Sequence, residues 1–387
     1  MKILFLTTVL PRKKRMGSEV ASQCFIEGLN QNGYQVSVVG YMRKDDVFEL
    51  TPKEVLVGQR YIETKKAKYY PLIWLIISFF KRLPYSSAKY YSNSYIRLLK
   101  TLLNSDEYDV VIIDHPQIGW LEHFLNNPVK IIMIAHNIEQ EIYLHSFKNA
   151  SNFISKLIYR REAYLIKEME DKLATTAKQV WVLTQHDAKY FSKIEGVGAV
   201  KLFDLPPGLE KFPEKPIKKD FDIAIIGSWA WKANEEGLRW FLQSVYPDLP
   251  VHLSIHVAGR GAEWITEKYP NIHYRGFVPN AQEFLAQAKV VAIPILNGGG
   301  IQIKTLDAIA SGSEIVATPV ALRGISHPPK TVHFAEEPKD FANLLVSAIA
   351  SPFIQQAFDE ARTWYEDRRN KFINDIAFSF EMWKSQG

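Results

Sequence analysis

The sequence predicts an α/β protein built from two Rossmann-like units joined by a linker. Three observations carry this. Short apolar β-type runs alternate with helical patterns, which is the rhythm of parallel strands connected by crossover helices. The rhythm is interrupted between Asp204 and Lys219, where Pro206, Pro207, Pro213 and Pro216 stand among several lysines. It restarts at Phe221 and repeats. The chain of 387 residues, 47% apolar and 23% charged, is long enough for two or three domains with large cores. We place a first domain at 1–205, a linker at 206–219, a second domain at 220–360 and a helical tail at 361–387.

The elements follow in order. Lys2 to Val9 is an apolar strand; the run before Pro11 is too short for a signal peptide and lacks a small-residue cleavage site. After the basic loop Arg12–Arg15, a turn at Gly17 leads into a helix from Val20 to Asn32, with Ala21, Cys24, Phe25 and Leu29 on one face. Gly33 ends it, and Tyr34 to Gly40 is the next strand. Gly17 thus falls at the C-terminal end of the first strand, where parallel sheets bind ligands; a plain tight turn is the alternative. Residues 44–105 are less regular. Within them Lys65, Lys66 and Lys68 lead into Tyr69–Phe80, followed by Lys81 and Arg82. This run is too short to span a bilayer, but its basic and aromatic flanks suit a membrane surface; a buried helix is the alternative.

Strands at Asp109–Asp114 and Val129–Ala135 end in Asp114-His115 and His136-Asn137-Ile138-Glu139, polar groups at the strand ends where a site forms. A charged helix spans 152–177, and Gln179–Thr184 is a further strand. Beyond the linker come a strand at Phe221–Gly227, a helix from Asn234 to Ser244, and strands at 251–258, 272–276, 289–295 and 314–318. The tail from Ile354 to Trp383 is helical, with Phe358, Ala361, Trp364 and Tyr365 on one face.

The stretch from Ala292 to Gly312 is the most informative. An apolar strand is followed by Gly298, Gly299 and Gly300, then by a helical pattern beginning at Ile301. Glycines let backbone N–H groups approach a phosphate, and the helix start adds positive potential. Lys304 stands about one turn into the helix, beside the same phosphate. Asp307 follows on the same face, placed to accept from a ribose. An ordinary αβ turn with solvated side chains is the alternative.

Composition narrows the function classes. The single cysteine, Cys24, excludes an intramolecular disulfide, fits a reducing compartment and reads as a small buried residue. A net charge of +5 suits an anionic ligand or membrane surface. No zinc-like Cys/His spacing and no nucleic-acid motif occurs. The expected location is cytoplasmic, peripheral on the inner face of the membrane.

Together these segments resemble the GT-B glycosyltransferases, and in particular the retaining family 4. The resemblance rests on Met16-Gly17-Ser18-Glu19, on Ala135–Glu139, and on Ile226-Gly227-Ser228 with Lys232, Asn234 and Gly237. Val257–Gly261, Tyr274–Pro279, Gly298–Gly312, Thr318-Pro319 and Arg323-Gly324 continue it in order. Two departures matter. Where many members carry two glutamates eight positions apart, Gly299 and Asp307 stand here. An expected arginine after Gly227 is replaced by Ser228.

The resemblance implies transfer of a sugar from a UDP- or GDP-type sugar nucleotide to a lipid-linked or surface-glycan acceptor. It implies retention, with no nucleophile assigned. The glycine turn, Ile301, Lys304, Gly227, Ser228 and Lys232 then face the diphosphate, and Asp307 the ribose. Phe277 and Val278 lie along the base, with Phe277 a packing residue before a stacking one. His136 faces the donor sugar, unless it is structural, and Gly17 lies on the same side. Glu19 would serve as base only in an inverting enzyme. Without an Asp-x-Asp to hold a divalent ion, no metal is expected, and no cofactor beyond the donor. The donor elements follow the linker and His136 precedes it, so domain movement about the linker is expected to assemble the site. Trp364 and Trp383 are expected to anchor the tail on the first domain. A sugar-nucleotide epimerase and a non-catalytic sugar-nucleotide-binding protein are the competing readings.

Overall fold

The computed structural model describes residues 1–63, 67–125, 130–209, 211–350 and 354–384. Two compact units are present, Met1–Phe203 with Ile373–Gly387 and Asp204–Phe372. In the first unit β1 (Lys2–Val9), β2 (Gln35–Arg43), β3 (Glu54–Arg60), β4 (Val110–Asp114), β5 (Lys130–Ala135), β6 (Gln179–Val182) and β7 (Ala199–Leu202) form one parallel sheet. Its order is β3-β2-β1-β4-β5-β6-β7. The chain winds outward from β1 and then returns to place β4 beside it. The crevice between the ends of β1 and β4 is therefore the topological switch point, where ligands of such sheets bind. Helices α1 (Gly17–Gln31), α2 (Tyr70–Phe80), α3 (Tyr85–Ala88), α4 (Asn93–Ser105), α5 (Glu139–Asn149), α6 (Phe153–Thr176) and α7 (Gln185–Phe191) accompany this sheet. Every residue of β4 and all but the first of β1 are buried, as expected for parallel strands covered on both faces.

The second unit holds β8 (Phe221–Ile226), β9 (Ile255–Ala258), β10 (Ile272–Gly276), β11 (Ala288–Ile293), β12 (Glu314–Ala317) and β13 (Val332–Phe334). They form a parallel sheet ordered β10-β9-β8-β11-β12-β13, again reversing beside its first strand. Its helices are α8 (Lys232–Trp240), α9 (Ala281–Ala286), α10 (Ile303–Ile309), α11 (Pro338–Ile349) and α12 (Ile354–Lys384), the last running on into residues of the first unit.

Local chemistry explains the helix starts. The Ser92 hydroxyl accepts from the Tyr95 N–H at 3.1 Å to cap α4, and Asn152 Oδ1 accepts from the Ser155 N–H at 2.8 Å to cap α6. The proline-rich segment is seated on the second unit. Phe212 packs with Phe358, Ala361 and Tyr365, and Arg362 donates to the carbonyls of Pro213 and Glu214. The end of α12 belongs to the first unit's packing: Phe380 stacks edge-on against Tyr34 and Trp181, and Gln179 Nε2 donates to the Ser379 carbonyl at 2.7 Å.

Some expectations change. Trp364 packs on the core of the second unit, under the Arg368 guanidinium, and does not anchor the tail elsewhere. The side chain of Trp383, and Lys65 and Lys66, lie outside the described residues. The Tyr69–Phe80 run is a helix, but only Trp74 and Ser78 of α2 are buried, so it is not a core helix. No helix among the described residues is long and apolar enough to cross a membrane.

Candidate active site

In the second unit the groups singled out by sequence follow the C-terminal ends of β8, β10 and β11. Lys304 is half-buried and donates to Asn234 Oδ1 at 2.7 Å. The Asn234 amide in turn donates to the Ser228 carbonyl at 3.0 Å. One hydrogen-bonded chain therefore ties α10 to the loop after Gly227. Helix α10 begins at Ile303, so Lys304 sits in its first turn and not a full turn in, with Ile301 in the loop before it. Burial lowers the Lys304 amine to about 8. Among the described residues no carboxylate pairs with it, so this is a cation held without its anion.

The glycine turn lies beside this lysine in sequence. Gly300 has φ +63°, left-handed backbone that a side chain would strain. Arg323 donates to the Gly298 carbonyl at 2.6 Å and fixes the turn. Among the described residues no acceptor meets the N–H groups of Gly298, Gly299 or Gly300, and Gly300 is buried. Buried N–H groups are ordinarily paired, so an open one is a donor waiting for a ligand. A Cβ on Gly259 would stand 1.7 Å from the Gly227 carbonyl, so only glycine lets the loop after β9 close on the loop after β8.

The remaining residues are less engaged. The Lys232 side chain is 80% exposed and lies 3.7 Å from Glu236, an ion pair of little strength. Val278 is half-buried against the core. Phe277 is not a packing residue: it is 64% exposed, with the Arg260 guanidinium 4.8 Å over its ring. Asp307 Oδ1 accepts the Gly208 N–H at 3.1 Å, so this carboxylate also pins the segment that enters the second unit.

The first unit carries a second cluster, at its switch point. Asp114, fully buried at the end of β4, accepts from Thr7 at 2.8 Å and from Ser22 at 2.6 Å through Oδ2. His136 Nε2, just past β5, lies 2.7 Å from Asp114 Oδ1. Burial pushes the Asp114 carboxyl up, but the neighbouring imidazoles and the hydrogen bonds from His136 and Ser22 prevail and hold it at about 2. An ionised carboxylate can only accept, so Nε2 of His136 carries the proton. In the neutral ring Nδ1 is then an acceptor, and it is buried with no hydrogen-bond partner among the described residues.

His115 stacks on His136 with ring centroids 4.0 Å apart, and burial, with His136 beside it, lowers it to about 3. Its φ of +86° is rare for a residue with a side chain, a strain of the kind stored at functional sites. Gly17 opens α1, the helix that delivers Ser22 to this cluster. Glu19, on the same helix, is bound by the Arg43 guanidinium and the Arg15 N–H, so it is committed to ion pairing. Glu170 accepts the N–H groups of Glu139 and Gln140 and caps α5; burial raises both the Glu139 and Glu170 carboxyls.

Ligand atoms of Asp114, His115 and His136 lie within 4.8 Å of one another, close enough for a metal. The geometry favours a different role. Asp114 already receives three hydrogen bonds, and the His136 Nε2 that a metal would need is committed to one of them. Sequence reasoning missed Thr7 and Ser22, and gave Asn234, part of the segment after Gly227, no role of its own. Ser22 was legible as one turn from Ser18 on the helix after Gly17; Thr7 carried no signal beyond its place beside a strand end.

Comparison with known proteins agrees with this architecture. Residues 220–351 match the family model of the glycosyl transferases group 1. A Klebsiella pneumoniae protein described as "Uncharacterized 44.6 kDa protein in cps region" is 21% identical over 342 residues, covering 84% of each chain. Sucrose-phosphate synthase from Thermosynechococcus elongatus superposes with a TM-score of 0.63 at 15% identity, covering 100% of both chains. Anabaena HepE, solved with UDP and glucose, gives 0.61 at 14% identity, also over 100% of both. A variant of S. aureus TarM, solved with Fondaparinux, alpha-GlcNAc-glycerol and UDP, gives 0.60 at 11% identity over 99% of each chain. The fold is that of the GT-B glycosyltransferases. The match of residues 220–351 to a glycosyltransferase family model, on that fold, supports a transferase.

Proposed function

We propose that the chain transfers a sugar from a UDP- or GDP-type sugar nucleotide to a lipid-linked or surface-glycan acceptor, with retention and without a metal ion. One observation carries the donor half: Lys304, a cation with no carboxylate partner among the described residues, adjoins in sequence a glycine turn whose N–H groups meet no acceptor among them. As the sugar leaves, negative charge grows on the departing diphosphate. Lys304 and the open N–H groups of 298–300 stabilise that charge as it develops, with Lys232 a mobile second cation. This is the work a divalent ion would otherwise do. The UDP complexes of HepE and TarM support a nucleotide donor. Asp307 contacts the ribose, with Phe277 and Val278 along the base.

His136 acts in turnover. Asp114 fixes its tautomer, which leaves Nδ1 of the neutral ring to accept from a hydroxyl. The cps-region relative, and the Fondaparinux and alpha-GlcNAc-glycerol bound to TarM, support a surface-glycan acceptor. Contact with the inner face of the membrane through 69–82 would bring a lipid-linked acceptor to the protein. An epimerase would need cleft carboxylates, and Gly299 stands where one is expected. Calorimetry with UDP and GDP in EDTA tests the donor half: micromolar binding of one of them supports it, and no binding of either removes it.

A further inference from the structure

Two exposed apolar stripes of the first unit lie on helices that share one contact. On α2, Leu72, Leu75, Ile76, Phe79 and Phe80 are 50–77% exposed, opposite the buried Trp74 and Ser78. On the first turns of α6, Phe153, Ile154, Leu157 and Ile158 are 52–80% exposed. Arg161, one turn beyond Leu157 and Ile158, donates to the Ser78 hydroxyl at 3.0 Å and to the Ser78 carbonyl at 2.9 Å. That contact ties α6 to the buried face of α2, so the two exposed stripes stand on helices joined to each other. Of 25 large apolar side chains exposed among the described residues, 12 lie in 69–80 and 153–164, so the exposure is a patch and not scatter.

The sequence flanking the patch carries charge of one sign. No Asp or Glu occurs from Thr64 to Ser105, against eight Lys and Arg; none occurs from Ile142 to Arg161, against four. Lys68, Lys81, Arg82, Lys156 and Arg160 are exposed. The next acid, Glu162, is buried and bound by Arg161 and the Tyr85 N–H. A second copy docking through the same patch would set cations against cations, because a two-fold contact repeats one surface. An anionic lipid leaflet offers the opposite charge to the rim and hydrocarbon to the stripes.

We propose that α2 and the first three turns of α6 form one docking surface for an anionic lipid leaflet, with α6 supplying half of it. This deepens the reading of a membrane-delivered acceptor and depends on that reading for its purpose, but not for its geometry. The exposed aromatics Tyr69, Phe79, Phe80 and Phe153 are suited to the interface between headgroups and acyl chains.

The test uses the full chain with phosphatidylcholine vesicles, with and without phosphatidylglycerol, in sedimentation assays. Wild type is expected to sediment with the anionic vesicles at low salt, and less as salt rises. Leu157→Ser with Ile158→Ser, on exposed positions of α6 alone, is expected to lower vesicle affinity at least about tenfold with an unchanged melting temperature. Lys156→Glu with Arg160→Glu should do the same. The proposal is overturned if wild type ignores anionic vesicles, if it binds neutral ones equally well, or if the α6 variants bind like wild type. It is also overturned if light scattering shows a dimer that the α6 variants abolish, since the patch would then be covered by a second copy. UDP and GDP calorimetry on the same samples separates the two readings: loss of vesicle binding with donor binding intact refutes the surface alone.

Discussion

Replacing Lys304 gives the sharpest energetic prediction. The fold lowers its amine from 10.5 to about 8, and at about 1.4 kcal/mol per pH unit this corresponds to about 3 kcal/mol for keeping the ammonium there without an anion. A diphosphate that supplies the anion recovers much of that cost. Lys304→Ala should therefore weaken binding of the preferred nucleoside diphosphate by about 1.5–3 kcal/mol at pH 7.5, the range of a charge-assisted hydrogen bond. The pH dependence follows from the sign. The folded amine loses its proton as pH rises through about 8, whereas the unfolded chain keeps it to near 10.5. In that window the unfolded state holds more protons, so the stability penalty of the charged amine disappears as pH rises, and the binding cation disappears with it. Wild-type affinity should fall about tenfold from pH 7.5 to pH 9, while the variant stays flat. Lys304→Met, which keeps the apolar stem, should be more stable than wild type in urea at neutral pH. Isothermal calorimetry at both pH values is the assay. Equal affinities for wild type and Lys304→Ala at pH 7.5, or parallel pH profiles, would refute the reasoning.

Three further outcomes are expected. His136→Ala should leave nucleoside diphosphate affinity within about 0.5 kcal/mol while turnover falls about a hundredfold; normal turnover in a folded variant would make His136 structural. Asp114→Asn should show the same split in steady-state kinetics, because the amide no longer fixes the proton on Nε2, and nitrogen NMR of the ring should report a mixed tautomer. A wild-type-like tautomer and rate would show that Asp114 does not position the ring. Activity should survive excess EDTA; complete loss restored by manganese or magnesium would reinstate a metal.

The interior strands were legible because parallel strands buried on both faces are near-continuous apolar runs. Lys2–Val9 shows this, and so do the runs that became β4, β5, β8 and β11. The edge strands β3, β7 and β13 escaped notice. None is fully buried; β3 and β7 carry charged residues such as Glu54, Arg60 and Lys201, and β13 is only three residues long, so no apolar run marks them. In the candidate site, the glycine turn and Lys304 were visible as local sequence. The Asp114–His136 pair was not, because its members lie 22 residues apart and meet only through the register of β4 and β5. Phe277 was misread for a related reason: an aromatic residue after a strand looks like core until the loop is seen to carry it outward. The apolar face of α6 was hidden by its lysines and arginines, which share the helix but not the stripe.

Sugar transfer from a nucleotide donor is tested most directly by incubating the purified chain with a panel of UDP- and GDP-sugars and following released nucleoside diphosphate by mass spectrometry. The prediction is release from one donor, slow with water alone, faster with a lipid-linked or glycan acceptor, undiminished by EDTA and lost in Lys304→Ala. Conversion of the sugar nucleotide to an epimer without release would assign the fold to the epimerase reaction instead. Absence of both release and binding across the panel would contradict the function proposed for this site.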